Sequence, residues 1–546
     1  GFEAAVSISA SISPGDGRET PRPRETELKL ALDPALAERL WRHQFWKNHA
    51  PGRTVSRNLR AIYFDTPDLL LARSGVELRV RRQGRQNIQA VKARGEYAAG
   101  LAQRDELEAP VPDAQPHAVP VPARIADADL RMLVERAVAE GLAPIFETDI
   151  RRWERSIAYG GGRLTLSLDR GAVRVGAKES ALCELEIELL EGPVGLVFDL
   201  AQELLTHIPL RVAHRGKSKR GYDLLLDRQP RPEKADRPPL DRRMPLEEVL
   251  SLNVRSCVRQ IVANEPVVCR GDDPEGVHQM RVGLRRLRSL FTVFAPVLPS
   301  DQAAHFKAEL KWLASELGAA RDYDVFREEI LRPVQAFFPE APGMAGLLTE
   351  ADRMSVLAYE RARAAIADRR YTRLLLDLSR WIAEAGWREQ SLTETGAQLF
   401  APARDFADAL LDRRSRKLRK NGKRLMAGPP ADRHLLRIYV KKMRYASEFF
   451  SELYPKKRTQ PYLKNLAALQ EVLGHMNDAA VAESLLLPQG AAGLSGREAQ
   501  RAHAAGLVLG WHGRASWERG MALDKLWRRL RSGEIFWHRP TVPDRS

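Results

Sequence analysis

The sequence has few of the residues that build disulfide frameworks or membrane spans. Its 546 residues include only three cysteines, Cys183, Cys257 and Cys269, an odd and scattered set that excludes a disulfide framework and has no metal-knuckle spacing. No stretch approaches the roughly 18 apolar residues that a membrane-spanning helix requires. The segment 1–23 lacks a basic start followed by an apolar core, so it does not have the form of a signal peptide. These absences predict a cytoplasmic protein without a membrane partner, beginning with a flexible tail over 1–23.

Charge of one sign is in excess. The chain carries 87 Lys and Arg residues against 71 Asp and Glu, a formal net charge of +16. Its apolar fraction of 44% is enough to build cores, and its length suits two to four domains of about 150 residues each. The basic excess favours a polyanionic partner such as nucleic acid, an anionic membrane or polyphosphate; a merely basic solvated surface is the alternative. Few aromatic residues interleave with the basic runs, which disfavours stacking on single-stranded nucleic acid.

The hydrophobic pattern changes along the chain and predicts two domains. Between residues 24 and 227 a period of two dominates, with helices expected at 33–48, 127–141 and 193–207. The proline-rich and charged stretch 228–245 is predicted to be a linker. Helical patterning fills 246–535, and 536–546 is predicted to be a tail. The period-two pattern predicts strands at 25–32, 60–66, 76–82, 87–94, 104–111, 148–159, 163–171 and 182–190.

The helical half contains an internal repeat. The segment HQMRVGLRRLRSLFTVFAPVLP begins at His278, and HLLRIYVKKMRYASEFFSELYP begins at His434, 156 positions later (434 − 278). The same offset relates LGAARDYDV, which begins at residue 317, to LGHMNDAAV, which begins at 473. We therefore predict a duplicated helical unit whose copies cover about 246–400 and 401–535.

Charged residues alternate with apolar ones on several of the predicted strands. In ETELKL, the side chains of Glu25, Glu27 and Lys29 share one face of a strand. Two interpretations compete: these faces point to water, or the sheet closes and they line a charged tunnel. In a tunnel, Arg and Lys would hold phosphates, while clustered carboxylates would require Mg²⁺ or Mn²⁺. The same alternation is present at Arg79, Arg81, Lys92, Arg94, Arg104, Glu106, Glu108, Arg152, Glu154, Glu184, Glu186 and Glu188.

These motifs, taken in order, resemble the CYTH domain of the triphosphate tunnel metalloenzymes. The resemblance covers roughly 24–227 and is carried by ETELKL, LRVR, VKAR, LSLDRG, ELEIEL and GKSKRGYDL. It implies a β-tunnel that hydrolyses a triphosphate with a divalent metal, and catalytic roles for Glu25, Glu27 and Lys29. Gly216 departs from the serine of many relatives, and a bulge would turn Arg151 inward instead of Arg152. The implied phosphate-binding residues are Lys29, Arg79, Arg81, Lys92, Arg152 and Lys217, and the implied metal ligands are Glu25, Glu27, Asp169, Glu186 and Glu188.

The repeated helices carry basic stripes. On a helix, His278, Arg281, Arg285 and Arg288 fall within an arc of about 80°, opposite an apolar face. The second copy places His434, Arg437, Lys441 and Arg444 on an equivalent stripe, with Arg286 and Lys442 as a further matched pair. The stripes are either solvated faces or sites for a polyanion, and neither contains an acid expected to neutralise it. The two histidines would bond phosphate rather than a metal.

The duplicated block resembles the CHAD domain, the conserved histidine α-helical domain, over about 240–535. The resemblance implies binding of inorganic polyphosphate and association with polyphosphate granules. Asp322 and Asp324 of the LGAARDYDV segment are expected to cap a helix or to pair with stripe arginines. Its implied binding residues are His278, Arg281, Arg285, Arg286, Arg288, His434, Arg437, Lys441, Lys442 and Arg444.

Together these patterns predict an α+β chain, in which an antiparallel β-barrel is followed by an all-α duplicated bundle. The function hypothesis is a polyphosphate-binding protein whose tunnel hydrolyses tripolyphosphate with Mg²⁺ or Mn²⁺. One alternative is a non-catalytic protein associated with polyphosphate granules, and a nucleic-acid-binding protein is disfavoured.

Overall fold

A computed structural model describes the chain from residue 25 to residue 538, except for short gaps. The described residues form two compact units: a sheet unit, Gly1–Pro230 with Ala367–Gly386, and a helical unit, Arg231–Ile366 with Trp387–Ser546. This confirms the α+β class, with an antiparallel sheet first and helices after it. In the described ranges no helix is long and apolar enough to cross a membrane. The predicted tail 1–23 lies outside the described residues, as do 24, 50–52, 94–95, 99–100, 105, 118–127, 391–392, 487–495 and 539–546.

The sheet unit is built on one antiparallel sheet of eleven described strands. Their order is β5-β6-β1-β10-β9-β8-β2-β3-β4-β7, with β11 beside β1. The strands are β1 (Glu25–Ala31), β2 (Val55–Asp65), β3 (Glu77–Gln83), β4 (Gln86–Lys92), β5 (Glu96–Ala98), β6 (Leu101–Arg104), β7 (Glu106–Val111), β8 (Ala143–Tyr159), β9 (Gly162–Val175), β10 (Lys178–Glu191) and β11 (Arg211–Val212).

The sheet curls without closing into the predicted barrel. No ladder joins β7 to β5 or β6 among the strands that the structure describes. However, β7 is the last strand at one end of the sheet, and β6 is the second strand from the other end. Strand β6 ends at Arg104 and β7 begins at Glu106, only two positions later in the chain. Two residues span at most about 7 Å, so the chain brings the two ends together at this point. One face of the sheet is therefore concave and enclosed.

Both faces of the central strands are buried, one by apolar packing and one by charge. Leu28 and Leu30 of β1 and Ile187 of β10 are fully buried on one face, which packs on a helix. Glu27 and Lys29, which alternate with them, are also buried, on the concave face. The helices of this part of the chain are α1 (Ala37–Trp41), α2 (Leu70–Arg73), α3 (Ala128–Glu140), α4 (Gly195–His207) and α5 (Lys217–Leu225). Helix α4 is the one that covers β1 and β10.

Helix starts in the helical half repeat at the spacing of the sequence repeat. Pro274 and Pro430 begin equivalent helices, and so do Ser300 and Lys456. In the first copy, the helix that begins at Ser300 is interrupted at Leu317. The corresponding helix of the second copy continues from Lys456 to Leu486. The helices are α6 (Leu246–Arg270), α7 (Pro274–Val293), α8 (Ser300–Glu316), α9 (Gly318–Val325), α10 (Arg332–Phe337), α11 (Met344–Ala367), α12 (Arg369–Ala383), α13 (Glu394–Ala397), α14 (Ala403–Ala427), α15 (Pro430–Phe450), α16 (Lys456–Leu486) and α17 (Arg497–Ser532).

The C-terminal tail begins later than the sequence predicts. Phe536 and Trp537 are buried, and their rings meet the ring of Tyr462 edge to face. The Trp537 indole donates to Asp412 at 2.7 Å. The prediction of a tail from 536 was therefore wrong at its start, because aromatic burial holds this pair in the helical core.

Most of the segment predicted as a linker, 228–245, belongs to the helical unit. Its residues 231–245 form no helix, but Asn264 of α6 donates to the Glu233 carbonyl at 2.8 Å and accepts from its amide at 3.0 Å. The Ser256 hydroxyl of the same helix contacts Asp236. Polar side chains of α6 thus supply hydrogen-bond partners to the backbone of a proline-rich segment that forms no regular secondary structure of its own.

Helix α12 belongs to the sheet unit, although it lies between the two helical copies in the sequence. It packs on α4 and β11. Gln202 of α4 donates to Asp377 at 2.7 Å, and Arg380 pairs with Asp199. The buried Thr372 hydroxyl donates to the carbonyl of Leu210 at 2.9 Å. A segment from the helical half thus completes the back of the sheet unit.

Thr372→Val should destabilise the sheet unit by about 1–3 kcal/mol, because the buried carbonyl of Leu210 loses this donor while the side-chain shape is kept. The free energy of unfolding from denaturant titration measures the change. Thr372→Ser retains the hydroxyl and is the matched control. Equal stability of Thr372→Val and the native chain would mean that this bond contributes nothing.

Candidate functional site

The concave face of the sheet lines one cavity. The cavity is open to solvent, and the empty space in it and at its mouth is about 750 Å³. Six cations and four carboxylates line it, so positive charge is in excess by two. Its charged lining residues are Lys29, Arg79, Arg81, Lys92, Arg152 and Lys217, together with Glu27, Glu77, Asp169 and Glu186.

Glu186 is the centre of an ion-pair network on one wall of the cavity. Its carboxylate accepts from Lys29 at 2.7 Å, from Arg152 at 2.6 Å and from Lys217 at 2.7 Å. Arg152 also holds Asp169 through two bonds of 2.7 Å, and Lys217 lies 2.8 Å from the same carboxylate. Strands β1, β8, β9 and β10 and helix α5 therefore contribute to a single network.

The network keeps its buried groups charged. Burial by itself would raise the pKa of Glu186, but Lys217, Lys29 and Arg152 hold that pKa well below its usual range. Burial likewise opposes ionisation of Asp169, yet Lys217 and Arg152 lower its pKa. Desolvation would lower the pKa of Lys217, but Asp169 and Glu186 raise it. The wall is therefore a fixed arrangement of opposite charges at neutral pH.

The opposite wall is mainly basic. Arg79 and Arg81 of β3 and Lys92 of β4 line the same cavity, and Arg81 donates to Glu108 at 3.0 Å. Glu77, which pairs in register with Lys92, was not singled out from the sequence. Its signal was present, because Glu77, Arg79 and Arg81 alternate on one strand. All six residues predicted to bind phosphate line this cavity, and Arg152 rather than the exposed Arg151 faces inward.

The carboxylates predicted to bind a metal lie among the cations of the network, and Lys29 bridges Glu27 and Glu186. Glu27 faces Glu188 directly across the β1–β10 ladder, while Asp169 and Glu186 are held by Arg152 and Lys217. Within the described residues no three acids, histidines or cysteines converge tightly enough to hold a metal. Lys29 also lies 3.1 Å from Glu27, so cations hold three of these four carboxylates, and their role as metal ligands stays a prediction. The side chain of Glu25 lies outside the described residues.

The pair Glu27 and Glu188 nevertheless suits a hard cation. Burial raises the pKa of Glu188, and the charges of Glu27 and Glu186 raise it further. Two facing carboxylates with this repulsion supply the oxygen ligands that Mg²⁺ and Mn²⁺ prefer. The donor chemistry of the site thus fits a divalent metal at this end of the network.

In the helical unit, the stripe of α7 meets another basic residue. Burial lowers the pKa of His278, and the charges of Arg321, Arg285 and Arg281 lower it further, opposed by Glu275. Arg321 belongs to α9, so α7 and α9 together make this basic cluster. The sequence assigned no binding role to Arg321, although it lies in the second repeated segment. Arg321 also pairs with Glu329 at 3.1 Å, so this acid neutralises part of the cluster. The remaining like charges repel one another, and an anion would relieve that repulsion.

The stripes of the two copies approach each other. Arg285 of α7 donates to the hydroxyl of Tyr445 on α15 at 2.6 Å. The copies are not equivalent, since Arg444 donates to Glu448 at 2.7 Å. The expectation that neither stripe has a neutralising acid was therefore wrong for Arg444. His434 and Lys442 are exposed on α15, while Arg437 and Lys441 are half-buried.

Arg286 does not belong to the basic stripe. Its side chain is buried against α6, where it donates to Gln260 at 3.0 Å. The prediction that Arg286 binds polyphosphate was therefore wrong. Its position, one residue beyond Arg285, turns it by about 100° towards the α6 interface.

Asp324 is buried and accepts a bond of 2.9 Å from the hydroxyl of Tyr359, so it neither caps a helix nor pairs with the stripe. Burial raises its pKa from 3.8 to about 6. Because the pKa of Asp324 is higher in the folded than in the unfolded state, protonated Asp324 stabilises the fold at pH values below its unfolded-state pKa. This stabilisation is lost as pH rises through about 6.

The native chain loses this stability as pH rises, whereas Asp324→Asn does not. Between pH 4 and pH 7.5 the free energy of unfolding of Asp324→Asn should therefore rise by up to about 3 kcal/mol relative to that of the native chain. The difference in unfolding free energy between the two proteins, measured across this range, tests the prediction. The amide oxygen still accepts from Tyr359, so shape and bonding are matched. A difference independent of pH would contradict it.

Each half of the chain matches a known domain family. The CYTH domain family matches residues 23–222, and the CHAD domain family matches residues 253–487. This chain is a CYTH–CHAD protein. The CYTH match begins just before β1 and ends within α5, so it spans every wall of the cavity. The CHAD match includes α12, the helix that packs in the sheet unit.

Two similar proteins cover different parts of the chain. An inorganic triphosphatase of Haemophilus influenzae is 28% identical over 201 residues, which are 36% of this chain and 54% of that protein. The chain thus matches about half the length of that relative. An uncharacterised protein of Mycobacterium tuberculosis is 26% identical over 467 residues, 80% of this chain and 83% of that one.

Solved structures are similar to each half separately. The crystal structure of the CHAD domain from the plant Ricinus communis has 33% identity and a TM-score of 0.47, and covers 56% of this chain and 98% of that chain. A putative adenylyl cyclase from Hippeastrum, titled as having a dominant triphosphatase activity, has 17% identity and a TM-score of 0.28. The match covers 36% of this chain and 95% of that one.

Proposed function

We propose that the CYTH domain is a divalent-metal-dependent triphosphatase acting on inorganic tripolyphosphate, and that the CHAD domain binds long-chain polyphosphate. The observation that carries the proposal is the enclosed face of the sheet, where charged side chains stand in place of an apolar core. Burying so many charges costs stability, which a purely structural sheet would not require. The name of the Haemophilus influenzae relative supports the reaction type.

Phosphate oxygens compete with carboxylates for the cations of the cavity. Lys29, Arg152 and Lys217 already donate to Glu186 in this structure, so they are oriented to bind an anion. Arg79, Arg81 and Lys92 approach from the facing wall. A triphosphate between the two walls would replace like-charged repulsion within each set of cations by attraction.

Hydrolysis proceeds by direct attack of water on the terminal phosphorus. A new bond forms from water oxygen to phosphorus, the bridging P–O bond breaks, and orthophosphate, diphosphate and a proton are released. Among the described lining residues there is no histidine or cysteine, so neither a cysteine nucleophile nor a histidine base for Ser218 is present there. Lys29, Arg152 and Lys217 bind and orient the phosphates and neutralise the charge that develops on them.

Glu27 and Glu188 are the described residues that would hold Mg²⁺ or Mn²⁺, with Glu25 as their neighbour along β1. When bound, the cation would polarise the phosphoryl group and lower the pKa of a water molecule. The residues themselves supply facing carboxylates on rigid, paired strands.

The basic cluster of the helical unit supports polyphosphate binding. His278, Arg281, Arg285 and Arg321 converge from two helices, and Arg285 contacts the second copy. Polyphosphate carries about one charge per phosphate, so release of counterions would drive the association.

Phosphate release from tripolyphosphate, ATP, thiamine triphosphate and long-chain polyphosphate tests the enzymatic half. We expect tripolyphosphate to be cleaved fastest with Mg²⁺ or Mn²⁺, and cleavage to stop with EDTA. Binding of these compounds without release of phosphate would favour a non-catalytic, granule-associated protein in the cytoplasm. Competition between long-chain polyphosphate and DNA at matched salt tests the helical half, and preference for DNA would overturn it.

A further inference from the structure

We propose that Glu329 competes with the polyanion for the basic cluster of α7 and α9. Glu329 holds Arg321 in an ion pair, and a bound polyphosphate takes its place at that arginine. The inference rests on the proposed binding of polyphosphate by the CHAD domain. It adds to that function a residue of the chain that limits the affinity of the site.

Arg321 lies on the face of α9 that meets the stripe of α7. Gly318 begins α9, and a Cβ on it would lie 3.5 Å from Nη1 of Arg281. Arg321 follows Gly318 by three residues, so one turn of helix places it on the same face. Burial and the charge of Arg321 both lower the pKa of His278, which agrees with this placement. Arg321 is therefore positioned to bind the same anion as the stripe of α7.

Glu329 reaches Arg321 from a π-helical turn, Phe326–Leu331, which directly follows α9. Turns of this kind are rare and are frequently found at functional sites. The Arg321 guanidinium donates to the Glu329 carboxylate at 3.1 Å. The side chain of Glu329 is 45% exposed, so water screens the pair and the pair contributes little to stability. A phosphate can replace this carboxylate, because its oxygens bind a guanidinium in the same way.

The two copies of the helical repeat differ at this pair. At the repeat offset of 156, Asn477 corresponds to Arg321 and Leu485 corresponds to Glu329. The second copy therefore has neither the cation nor the acid. The ion pair is a unit of the first copy, where α7 and α9 form the basic cluster.

Displacement of Glu329 lowers the affinity for a polyanion in two ways. The attraction between Arg321 and Glu329 is lost, and the released carboxylate remains close to the bound phosphates. The released carboxylate also takes up a cation from solution, which cancels the counterion that Arg321 releases from the polyphosphate. Arg321 therefore adds little to the salt dependence of binding while Glu329 is present.

Glu329→Gln is expected to bind long-chain polyphosphate about three- to fivefold more tightly than the native chain at moderate salt. The slope of log K against log[salt] should become steeper by up to about 0.7–0.9, because the counterion released by Arg321 is no longer cancelled. Titration calorimetry of the full chain with long-chain polyphosphate, at several salt concentrations, measures both effects. A gain of affinity cannot result from a damaged fold.

Glu328→Gln is the matched control. It removes the same charge one residue earlier, from a side chain that is 44% exposed and pairs with Arg332 at 3.0 Å. We expect its affinity to stay close to that of the native chain. In a second control, Glu329→Gln should bring no gain when Arg321→Gln is already present, because the effect passes through that arginine.

Three results would overturn the competition and leave the proposed function intact. They are an unchanged affinity of Glu329→Gln, an equal gain in Glu328→Gln, and a gain that persists without Arg321. Absence of polyphosphate binding by both the native chain and Glu329→Gln would overturn the competition together with the proposed binding function.

Discussion

Glu27→Gln is expected to reduce the rate of phosphate release from tripolyphosphate by about 10²–10³-fold, without lowering the unfolding temperature. The rate falls because one of the two facing carboxylates that would hold the divalent metal becomes neutral. The substitution removes the 3.1 Å ion pair between Glu27 and Lys29, but Lys29 keeps its bond to Glu186 and the repulsion between Glu27 and Glu188 disappears, so we expect the fold to persist. Initial rates at saturating metal and thermal unfolding at neutral pH measure the two effects.

The sign of the stability effect follows from Glu188. Its raised pKa means that its contribution to stability is present below the unfolded-state pKa and is lost as pH rises through the folded-state pKa. Removing the charge of Glu27 lowers the pKa of Glu188 and reduces that loss. Glu191→Gln, at an exposed position on β10, the strand of Glu188, is the matched control and should retain full activity. Full activity of Glu27→Gln would refute the metal assignment.

Arg281→Gln with Arg285→Gln is expected to weaken binding of long-chain polyphosphate by about 10–100-fold at moderate salt. With two fewer cations, fewer counterions are released from the polyphosphate on binding. The slope of log K against log[salt] should therefore become shallower by roughly 1.4–1.8. Both native side chains also make bonds inside the unit, to the Ala314 carbonyl and the Tyr445 hydroxyl. Thermal unfolding must therefore show that the variant remains folded in the titrations that measure binding.

Arg519→Gln with Arg528→Gln provides the control of equal charge. Both residues are exposed on α17, outside the basic cluster, so the net charge falls by the same amount. We expect this pair to bind polyphosphate nearly as the native chain does. An equal loss of affinity in both double variants would mean that overall charge, and not the cluster of α7 and α9, attracts the polyanion.

The charged cavity is energetically costly for the sheet that lines it. Glu186 and Asp169 are buried and depend on three cations, so removing one cation leaves a buried charge with fewer partners. An apolar face of similar volume would be as stable or more so. This cost is the physical reason for proposing that the network binds an anion and a cation.

Local periodicity made much of the sheet unit predictable. A strand repeats every two residues, so Glu27 and Lys29, or Arg79 and Arg81, must share a face wherever the strand lies. The helical repeat was visible for a similar reason, since matched residues produced matched helix starts at Pro274 and Pro430. What the pattern left open was whether a charged face pointed to water or into a cavity, because both arrangements have the same alternation.

Contacts between distant residues decided the rest. The pairing of Lys29 with Glu186, the docking of α5 through Tyr222 and Asp65, and the burial of Arg286 against Gln260 each join positions far apart in the chain. The same holds for α12, a helix of the second half of the chain that completes the sheet unit. The amino-acid sequence by itself determined which side chains share a strand or helix face, because that depends on local backbone geometry. Only the tertiary structure decided which faces meet, because packing and ion pairing select among folds that local geometry allows equally.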